Sequence, residues 1–247
     1  MKLVVVVPAY NAARHLPEVI ARIGAANLPG LDRVVIVDDG STDDTANVAR
    51  GLAANGSVGA LASRIEIVVR ARNGGYGAAM KVGLDCARAR GADRAASVHA
   101  DGQYSPEVLP GLLQALDGRG LDLLQGSRIA GGRALAGGMP RYKYAANWLL
   151  SKLERHVLGL PLTDFHSGYL VYGRRALGEI PFVRLSDSFD FDLQVIAWAR
   201  ARGLAVGEAP IPTHYGDEIS HLNPLNYGLR VLRVLWRFRR GDYAGRM

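Results

Sequence analysis

Short runs of apolar, mostly β-branched residues alternate with helical patterns along the first half of the chain. Residues 3–7 read LVVVV, and comparable runs lie at residues 34–37, 65–69, 95–98 and 121–124. Continuous apolar runs of this length are typical of strands buried on both faces. Apolar residues recur at helical spacing after the first run, at Leu16, Val19, Ile20 and Ile23. This alternation predicts an α/β fold with a mostly parallel central sheet flanked by helices.

The second half of the chain is less regular. Residues 126–140 contain five glycines and one proline, which predicts a long loop of the kind that often binds ligands. Further elements are predicted as helices at 142–158 and 190–201 and strands at 168–172 and 204–206. No linker separates two halves, so we expect one domain over 1–220 and a basic amphipathic helix of the same domain over 221–247.

Composition excludes several classes of protein. The single cysteine, Cys86, rules out an intramolecular disulfide and a cysteine-based zinc cluster. No apolar run approaches the ~20 residues of a membrane span, and the start of the chain does not resemble a signal peptide. We therefore expect a cytoplasmic protein, with the inner face of the membrane as an open alternative.

The positive charge is concentrated at the end of the chain. The formal net charge is +7, and residues 228–247 hold six arginines and one aspartate. A basic end on a nearly neutral body argues against nucleic acid as a partner and favours a local anionic partner, such as a phosphate or a lipid surface.

Polar motifs follow the predicted strands, where open α/β sheets bind their ligands. Residues 38–42 (DDGST) could bind a nucleotide base or ribose, or could merely cap a helix. The turn at residues 73–77 (NGGYG) could let the backbone approach a phosphate. Asp101, directly after a strand, could hold Mg²⁺ or Mn²⁺, or could belong to an Asp-Gly turn. Arg128 and Arg141 flank the long loop and could bind phosphate oxygens.

Taken in chain order, these motifs resemble glycosyltransferase family 2, whose members have the GT-A fold. Four segments carry the resemblance, namely residues 6–11 (VVPAYN), 37–42 (VDDGST), 72–77 (RNGGYG) and 100–104 (ADGQY). Three more resemble the branch of dolichol- and polyprenyl-phosphate sugar synthases, namely 126–128 (GSR), Asp164 with Ser167-Gly168, and 208–212 (EAPIP). Residues 214–220 resemble a segment of broadly described bacterial polysaccharide glycosyltransferases.

The resemblance implies an inverting transfer of a sugar from a GDP- or UDP-linked donor to a polyprenyl phosphate. The substrate-binding residues it implies are Pro8, Ala9, Tyr10, Asn11, Asp38, Asp39, Gly40, Asn73, Gly74, Gly77, Lys81, Ala100, Arg128, Arg141 and Ser167. The implied ligands of Mg²⁺ or Mn²⁺ are Asp101, Gln103 and His99. The implied catalytic residues are Asp101, Arg128 and Asp192. If Asp39 contacts the base, its removal should weaken donor binding with little loss of thermal stability.

Three positions depart from the family pattern. His99 replaces the first aspartate of the Asp-x-Asp motif, so the site has one negative charge fewer. Ala12 stands where a glutamate often follows the Tyr-Asn pair, which puts a ribose contact in doubt. Gln194 stands where a glutamate is expected, with Asp190 and Asp192 nearby.

Two other functions remain open. The acceptor could be a soluble hydroxyl compound, in which case Asp192 or Asp190 would act as the general base. The protein could also be a non-catalytic nucleotide-sugar-binding subunit, as the changes at His99 and Gln194 suggest.

The end of the chain forms an amphipathic helical pattern. A basic stripe holds Arg230, Arg233, Arg237 and Arg240, and an adjoining apolar stripe holds Leu225, Leu229, Leu232 and Trp236. Val231, Leu235 and Phe238 widen the apolar face. The helix could close the core, form a homodimer contact or lie at the surface of a membrane with anionic lipid.

Overall fold

The computed structural model describes residues 1–54, 56–132, 134–212 and 224–244, and in those ranges it contains seven strands and eight α-helices. The strands are β1 (Leu3–Ala9), β2 (Leu31–Asp38), β3 (Ile65–Val69), β4 (Arg94–Ser97), β5 (Leu123–Ser127), β6 (Leu170–Gly173) and β7 (Val206–Pro210). The helices are α1 (Leu16–Ala25), α2 (Thr45–Ala54), α3 (Tyr76–Ala89), α4 (Leu109–Gly118), α5 (Arg141–Leu158), α6 (Arg174–Glu179), α7 (Phe191–Ala201) and α8 (Pro224–Arg239). The motif at 214–220 lies outside the described residues.

The strands form one sheet in the order β3-β2-β1-β4-β6-β5-β7. All neighbouring strands are parallel except at β6, which is antiparallel to both β4 and β5. The prediction of a mostly parallel sheet flanked by helices is confirmed. The carboxyl ends of β1, β2, β3, β4 and β5 therefore lie at one edge of the sheet.

Strand β6 reverses direction because the chain enters it from the edge where its neighbours end. Just before β6, the carbonyl of Tyr169 accepts a hydrogen bond of 2.8 Å from the amide of Gly126, at the end of β5. The carbonyl of Gly168 accepts one of 2.7 Å from the hydroxyl of Ser97, the last residue of β4. The start of β6 is thus part of the edge that holds the polar motifs.

The sheet is covered on both faces, as its apolar strands require. In β1, Val4 and Val6 pack into one hydrophobic cluster, whereas Leu3, Val5 and Val7 pack into another. The first cluster includes residues of α3, α7 and α8, and the second includes residues of α1 and α4. The apolar run at residues 3–7 is therefore buried on both faces, as predicted.

Two boundaries differ from the prediction. The strand expected at 204–206 is Val206–Pro210. Among the described strands β7 lies at the edge of the sheet and pairs with β5 alone, so it tolerates Glu208 and a terminal proline. The helix expected after Ser41 or Thr42 begins at Thr45, because the 41–43 segment is bound to the end of β1.

Helix α8 has a buried face and an exposed apolar face. Its buried residues are Val231, Val234 and Leu235, and the helix packs against α5 and α7. Leu229, Leu232 and Trp236 remain 66%, 48% and 56% exposed. The helix therefore closes the core and also presents apolar side chains at the surface. Across the part of the chain that the structure describes, no helix has the length and apolar character needed to cross a membrane.

The close contact between α3 and β1 can be tested at Gly83. A Cβ atom at this position would overlap the side chain of Val6, whereas a Cβ at Gly111 in α4 would meet nothing within 4 Å. We expect Gly83→Ala to lower the free energy of unfolding by about 1–3 kcal/mol through overpacking. We expect Gly111→Ala, the matched control, to raise it by about 0.5–1 kcal/mol because alanine favours a helix. Urea denaturation measures both, and a stabilising Gly83→Ala would contradict the packing.

Candidate active site

The end of β1 is bound to the loop after β2. Asn11 has a left-handed backbone (φ 49°), and its side-chain oxygen accepts a hydrogen bond of 2.9 Å from the amide of Thr42. The amide of Asn11 donates to the hydroxyl of Ser41 at 2.9 Å, and that of Ala12 donates to Thr45 at 2.8 Å. These hydrogen bonds fix the backbone at the end of β1. That segment contains the first predicted group of substrate-binding residues, namely Pro8, Ala9, Tyr10 and Asn11. Within it, Tyr10 is 42% exposed.

Asp39 holds the loop that follows β3. Its buried carboxylate forms an ion pair with Arg70 and accepts hydrogen bonds from the amides of Gly74 (3.1 Å) and Gly75 (2.7 Å). Asp39 therefore does not cap α2, so the helix-cap alternative is wrong. Asp38, next to it, accepts from the amide of Ser41 at 3.0 Å and closes the turn after β2.

Gly40 allows the loops after β2 and β3 to touch. It has a left-handed backbone (φ 68°), and a Cβ atom there would lie 2.5 Å from the carbonyl carbon of Arg72 and 2.8 Å from the amide nitrogen of Asn73. Asn73 is exposed, and its side-chain oxygen accepts from the amide of Gly75 at 2.9 Å. The predicted residues Asp38, Asp39, Gly40, Asn73 and Gly74 are thus brought together.

The glycines at the start of α3 face protein rather than open space. A Cβ atom at Gly75 or Gly77 would overlap backbone oxygens of the 185–190 segment, which precedes α7. Lys81 binds the same segment, donating to the carboxylate of Asp187 at 2.7 Å. Gly77 and Lys81 thus hold the 185–190 segment against α3, and their contact with a substrate stays a prediction.

His99 and Asp101 follow β4 as the sequence predicted. Asp101 is exposed and accepts a hydrogen bond of 2.9 Å from the amide of Gln103. Ala100, between His99 and Asp101, is buried. His99 lies between the rings of Tyr76 and Tyr104, with centroids 5.2 and 5.3 Å away. Burial lowers the pKa of His99 below its usual value, against the opposing effect of Asp101. His99 is therefore neutral at pH 7, the form that binds metal ions.

The donors here suit a divalent cation that also binds a substrate phosphate. The described residues contain no cluster of three or more histidine, cysteine, aspartate or glutamate side chains able to hold a metal ion. One carboxylate and one neutral imidazole match the pattern of Mg²⁺ and Mn²⁺, which often use one or two protein ligands together with phosphate oxygens and water. Asp101 and His99 fit such an ion, with Gln103 close to Asp101.

Arg128, after β5, is held by a buried aspartate that the sequence did not identify as its partner. Its Nε donates to Asp164 Oδ2 at 2.6 Å, and its Nη2 donates to Oδ1 at 3.0 Å. Asn147 of α5 also donates to Asp164, at 3.2 Å. Burial raises the pKa of Asp164, but Arg128 and His166 together lower it by more. The pKa of Asp164 therefore lies far below the usual range. Arg128 therefore has a fixed orientation at the edge of the sheet.

Behind this pair lies a second buried polar group that sequence patterns did not reveal. His166 Nε2 lies 3.0 Å from the carboxylate of Glu154 in α5, and His166 Nδ1 lies 2.8 Å from the hydroxyl of Tyr227 in α8. The amide of His166 donates to Asp164 at 3.0 Å. Burial lowers the pKa of His166, but Glu154 and Asp164 together raise it by more, and the net shift of the pKa is upward. Helices α5 and α8 are thus linked to the Arg128 pair.

Two other predicted residues differ in their surroundings. The hydroxyl of Ser167 is buried and bonds Gly126 and Gln125, so the structure gives it a role inside the fold. Arg141 is exposed at the first position of α5, and its contact with a substrate stays a prediction.

The two candidate bases on either side of the start of α7 are not equivalent. Asp190 accepts hydrogen bonds from Ser186 (2.7 Å) and Gln194 (2.8 Å), so it holds the 185–190 segment. Asp192 is buried near Tyr76, and burial raises its pKa to about 7. Gln194, in place of the expected glutamate, accepts from the amide of Ser186 at 3.1 Å. Asp192 is therefore the better candidate for moving a proton.

Sequence comparisons identify the family of the chain. The family model described as Glycosyl transferase family 2 matches residues 4–180. The chain is 31% identical over 211 residues to the polyprenol monophosphomannose synthase of Mycolicibacterium smegmatis, covering 85% of this chain and 76% of that protein. It is 32% identical over 213 residues to the undecaprenyl-phosphate mannosyltransferase of Micrococcus luteus, covering 85% and 83%. The chain belongs to glycosyl transferase family 2, and its resemblance to the polyprenyl-phosphate branch is confirmed.

Solved structures confirm the fold. Glucosyl-3-phosphoglycerate synthase from Mycobacterium tuberculosis, in complex with UDP, has a TM-score of 0.68 at 21% identity, covering 96% of this chain and 79% of that chain. The same enzyme with Mn²⁺, UDP and glucosyl-3-phosphoglycerate has a TM-score of 0.64 at 19% identity, covering 99% and 80%. The GT-A fold class predicted from the motifs is therefore correct.

The structural role of Asp39 leads to a measurable loss of stability. Asp39→Ala removes the acceptor of Arg70 and of the Gly74 amide, and leaves the Gly75 amide with Asn73 as its acceptor. We expect the free energy of unfolding to fall by about 2–3 kcal/mol, less than for a fully buried pair because the Arg70 side chain is 26% exposed. Urea denaturation measures this change, which replaces the expectation of little loss in thermal stability.

The matched control is Glu179→Ala, which removes an exposed carboxylate paired with Arg175. Its expected cost is about 0.3–0.5 kcal/mol. Equal, small costs for both variants, together with weaker binding of the donor by Asp39→Ala, would mean that Asp39 serves the nucleotide alone.

Proposed function

We propose that this enzyme transfers a sugar from a nucleoside-diphosphate sugar, GDP- or UDP-linked, to a polyprenyl phosphate with inversion at the anomeric carbon. The observation that carries the proposal is the arrangement of two sites at one sheet edge. His99 and Asp101 follow β4, Arg128 follows β5, and β6 pairs with both strands, with Gly168 before it lying against His99. The relatives named for polyprenyl-phosphate substrates support the choice of acceptor.

The donor would lie over the ends of β1, β2 and β4. The loops bound by Asn11 and Asp39 form the nucleotide side, and Asp101 with His99 would hold Mg²⁺ or Mn²⁺ at the diphosphate. Such an ion offsets the negative charge that develops on the diphosphate as it leaves. The carboxylate and the neutral imidazole bind the ion while adding only one negative charge to the site.

The acceptor phosphate would lie near Arg128, with Arg141 as a second positive group. A phosphate is ionised at pH 7, so one of its oxygens can attack the anomeric carbon without a general base. The new bond from oxygen to carbon forms as the bond from carbon to the diphosphate oxygen breaks, and the diphosphate leaves with the electron pair. Asp164 orients the guanidinium of Arg128 throughout.

A soluble hydroxyl acceptor is the second candidate, and one observation favours it. A hydroxyl group must lose a proton on attack, and the pKa of Asp192 is raised by burial to about 7, close to the value that suits a general base. The third candidate, a non-catalytic nucleotide-sugar-binding subunit, predicts donor binding without turnover.

A membrane surface fits the proposed acceptor. Leu229, Leu232 and Trp236 of α8 are exposed beside the basic stripe of Arg233, Arg237 and Arg240. The guanidinium of Arg240 lies 4.5 Å from the centroid of the Trp236 ring. Apolar side chains next to arginines are typical of helices that lie at the surface of anionic membranes. We propose that the enzyme works there, on the cytoplasmic side.

The neighbouring helix α5 enlarges this surface. It packs against α8 and exposes four large apolar side chains, namely Tyr142, Trp148, Leu149 and Leu153. The amine of Lys152 lies 5.3 Å from the centroid of the Trp148 ring. Sequence reasoning placed the lipid contact on α8 alone, whereas both helices carry the combination of apolar and basic groups.

The proposed reaction is tested with a panel of radiolabelled GDP- and UDP-sugars and two acceptors, polyprenyl phosphate and the matching polyprenol. We expect transfer to the phosphate only, and we expect chelator to stop it. Asp101→Ala should lower the rate by about 10²–10³-fold, because charge on the leaving group would no longer be offset. Product formation is followed by chromatography of the lipid fraction.

Asp85→Ala, which removes a 59% exposed carboxylate from α3, is the matched control and should leave the rate unchanged. Transfer to a hydroxyl acceptor that is lost in Asp192→Asn would instead establish the second candidate. Donor binding without any turnover would establish the third. Full activity in excess chelator would exclude a role for the cation.

The membrane proposal is tested by sedimentation with vesicles. We expect the protein to bind phosphatidylglycerol-containing vesicles at low salt and to dissociate at high salt. Replacing Arg233, Arg237 and Arg240 together by glutamine should weaken binding by about 100-fold, at about 1 kcal/mol for each basic residue. Hydrolysis of soluble donor by this variant should remain intact.

The matched control removes the same number of arginines from another part of the surface. Arg50, Arg174 and Arg175 are exposed and lie outside α5 and α8. Their replacement by glutamine should leave vesicle binding unchanged. A wild-type protein that ignores anionic vesicles even at low salt, and forms concentration-dependent dimers in sedimentation velocity, would assign the surface to a homodimer.

A further inference from the structure

The imidazole of His99 is contacted by Tyr76, Tyr104 and Gly168. Tyr76 and Tyr104 contact its ring edge-to-face on either side. Gly168 touches it as well, because a Cβ atom there would lie 2.7 Å from His99 Cε1 and 2.9 Å from His99 Nε2. Only glycine, here with φ of 72°, lets the ring occupy this position. The imidazole therefore has one fixed orientation.

The contacts of Nε2 determine which ring nitrogen carries the hydrogen. His99 Nε2 lies 3.3 Å from the hydroxyl oxygen of Tyr76. The Tyr76 hydroxyl donates to the carbonyl of Gly168 at 3.5 Å, and Asp192 interacts with the same hydroxyl. Because a carbonyl oxygen can only accept, this contact directs the hydroxyl hydrogen of Tyr76 away from His99.

These contacts determine the direction of the hydrogen bond between Tyr76 and His99. The hydroxyl hydrogen of Tyr76 is directed to the Gly168 carbonyl, so the Tyr76 oxygen can accept from His99 Nε2. Asp192 interacts with the same hydroxyl, and its Oδ1 is buried without a hydrogen-bond partner among the described residues. The transfer to a phosphate acceptor gives Asp192 no proton to remove, so its conspicuous burial needs another explanation.

We propose that Tyr76, backed by Asp192, is a positioning residue that holds His99 as the Nε2–H tautomer and leaves Nδ1 to bind the divalent cation with Asp101. The proposal rests on the cation site of the proposed function. Histidines that bind metal ions usually donate their second N–H to an oxygen that fixes the ring. Here the replacement of the usual aspartate by His99 creates that need, and Tyr76 meets it.

The tautomer can be measured in the metal-free protein, independently of activity. Long-range ¹H–¹⁵N correlation spectra of histidine-labelled protein distinguish the two tautomers, and His99→Asn identifies the signal. We expect the Nε2–H form in the wild type and a mixture of tautomers in Tyr76→Phe. A wild-type Nδ1–H form, or no change in Tyr76→Phe, would overturn the proposal.

The effect on the cation is measured by titrating Mn²⁺ into the protein with GDP or UDP present, using electron paramagnetic resonance. Tyr76→Phe should weaken Mn²⁺ binding by about 10-fold or more. Tyr172→Phe is the matched control, because it removes another buried hydroxyl near Asp192 that has no hydrogen-bond partner among the described residues. We expect it to leave Mn²⁺ affinity unchanged.

A second background separates orientation from general damage to the pocket. In His99→Asp the ligand has no tautomers, so adding Tyr76→Phe should change Mn²⁺ affinity little. An equal loss in both backgrounds would overturn the proposal, since Tyr76 would then shape the pocket whatever residue stands at position 99. Mn²⁺ binding that is unaffected by Tyr76→Phe overturns the positioning role alone. A wild type that binds no Mn²⁺ overturns the cation site of the proposed function as well.

Discussion

A carboxylate that folding removes from water must be given a partner, and this requirement shapes both ends of the site. Asp164 is fully buried and is bound by Arg128 through two nitrogen atoms. Asp39 is almost fully buried and is bound by Arg70 and two backbone amides. Breaking either pair would leave a charge in a poorly solvated place, at a cost of several kcal/mol. These contacts therefore tie the loops that carry Asp39 and Asp164 to neighbouring loops at the sheet edge.

The same constraint connects the site to the surface helices. Asp164 accepts from the amide of His166, whose ring lies between Glu154 of α5 and Tyr227 of α8. The two helices that expose apolar and basic side chains are thus in contact with the group that orients Arg128. If the proposed membrane contact holds, the acceptor side of the site lies directly behind the surface that meets the lipid.

Close backbone approach is the second structural theme of the site. Gly75 and Gly77 admit the 185–190 segment, and Gly168 admits the ring of His99. Side chains at these positions would separate α3 from α7 or displace His99 from the start of β6. The glycine-rich turn after β3 therefore serves the packing of the 185–190 segment.

Several features could be predicted from the sequence because they depend on local patterns. The strand at 65–69 has the predicted bounds, and the buried face of α1 consists of Leu16, Val19, Ile20 and Ile23 as expected. The position of His99 and Asp101 at a strand end follows from the same reasoning. Helix α2 starts later than predicted, because Ser41 and Thr42 bind Asn11 instead of capping the helix.

The sequence by itself determined the α/β class, the edge of the sheet that carries the site and the residue types placed there, because periodicity and strand ends are local properties. Only the tertiary structure decided which of those residues meet. The antiparallel insertion of β6, the pairing of Arg128 with Asp164 and the contact of Tyr76 with His99 join residues 23 to 79 positions apart. Such pairings depend on how the chain returns to the sheet edge, and the hydrophobic periodicity of the sequence does not encode that path.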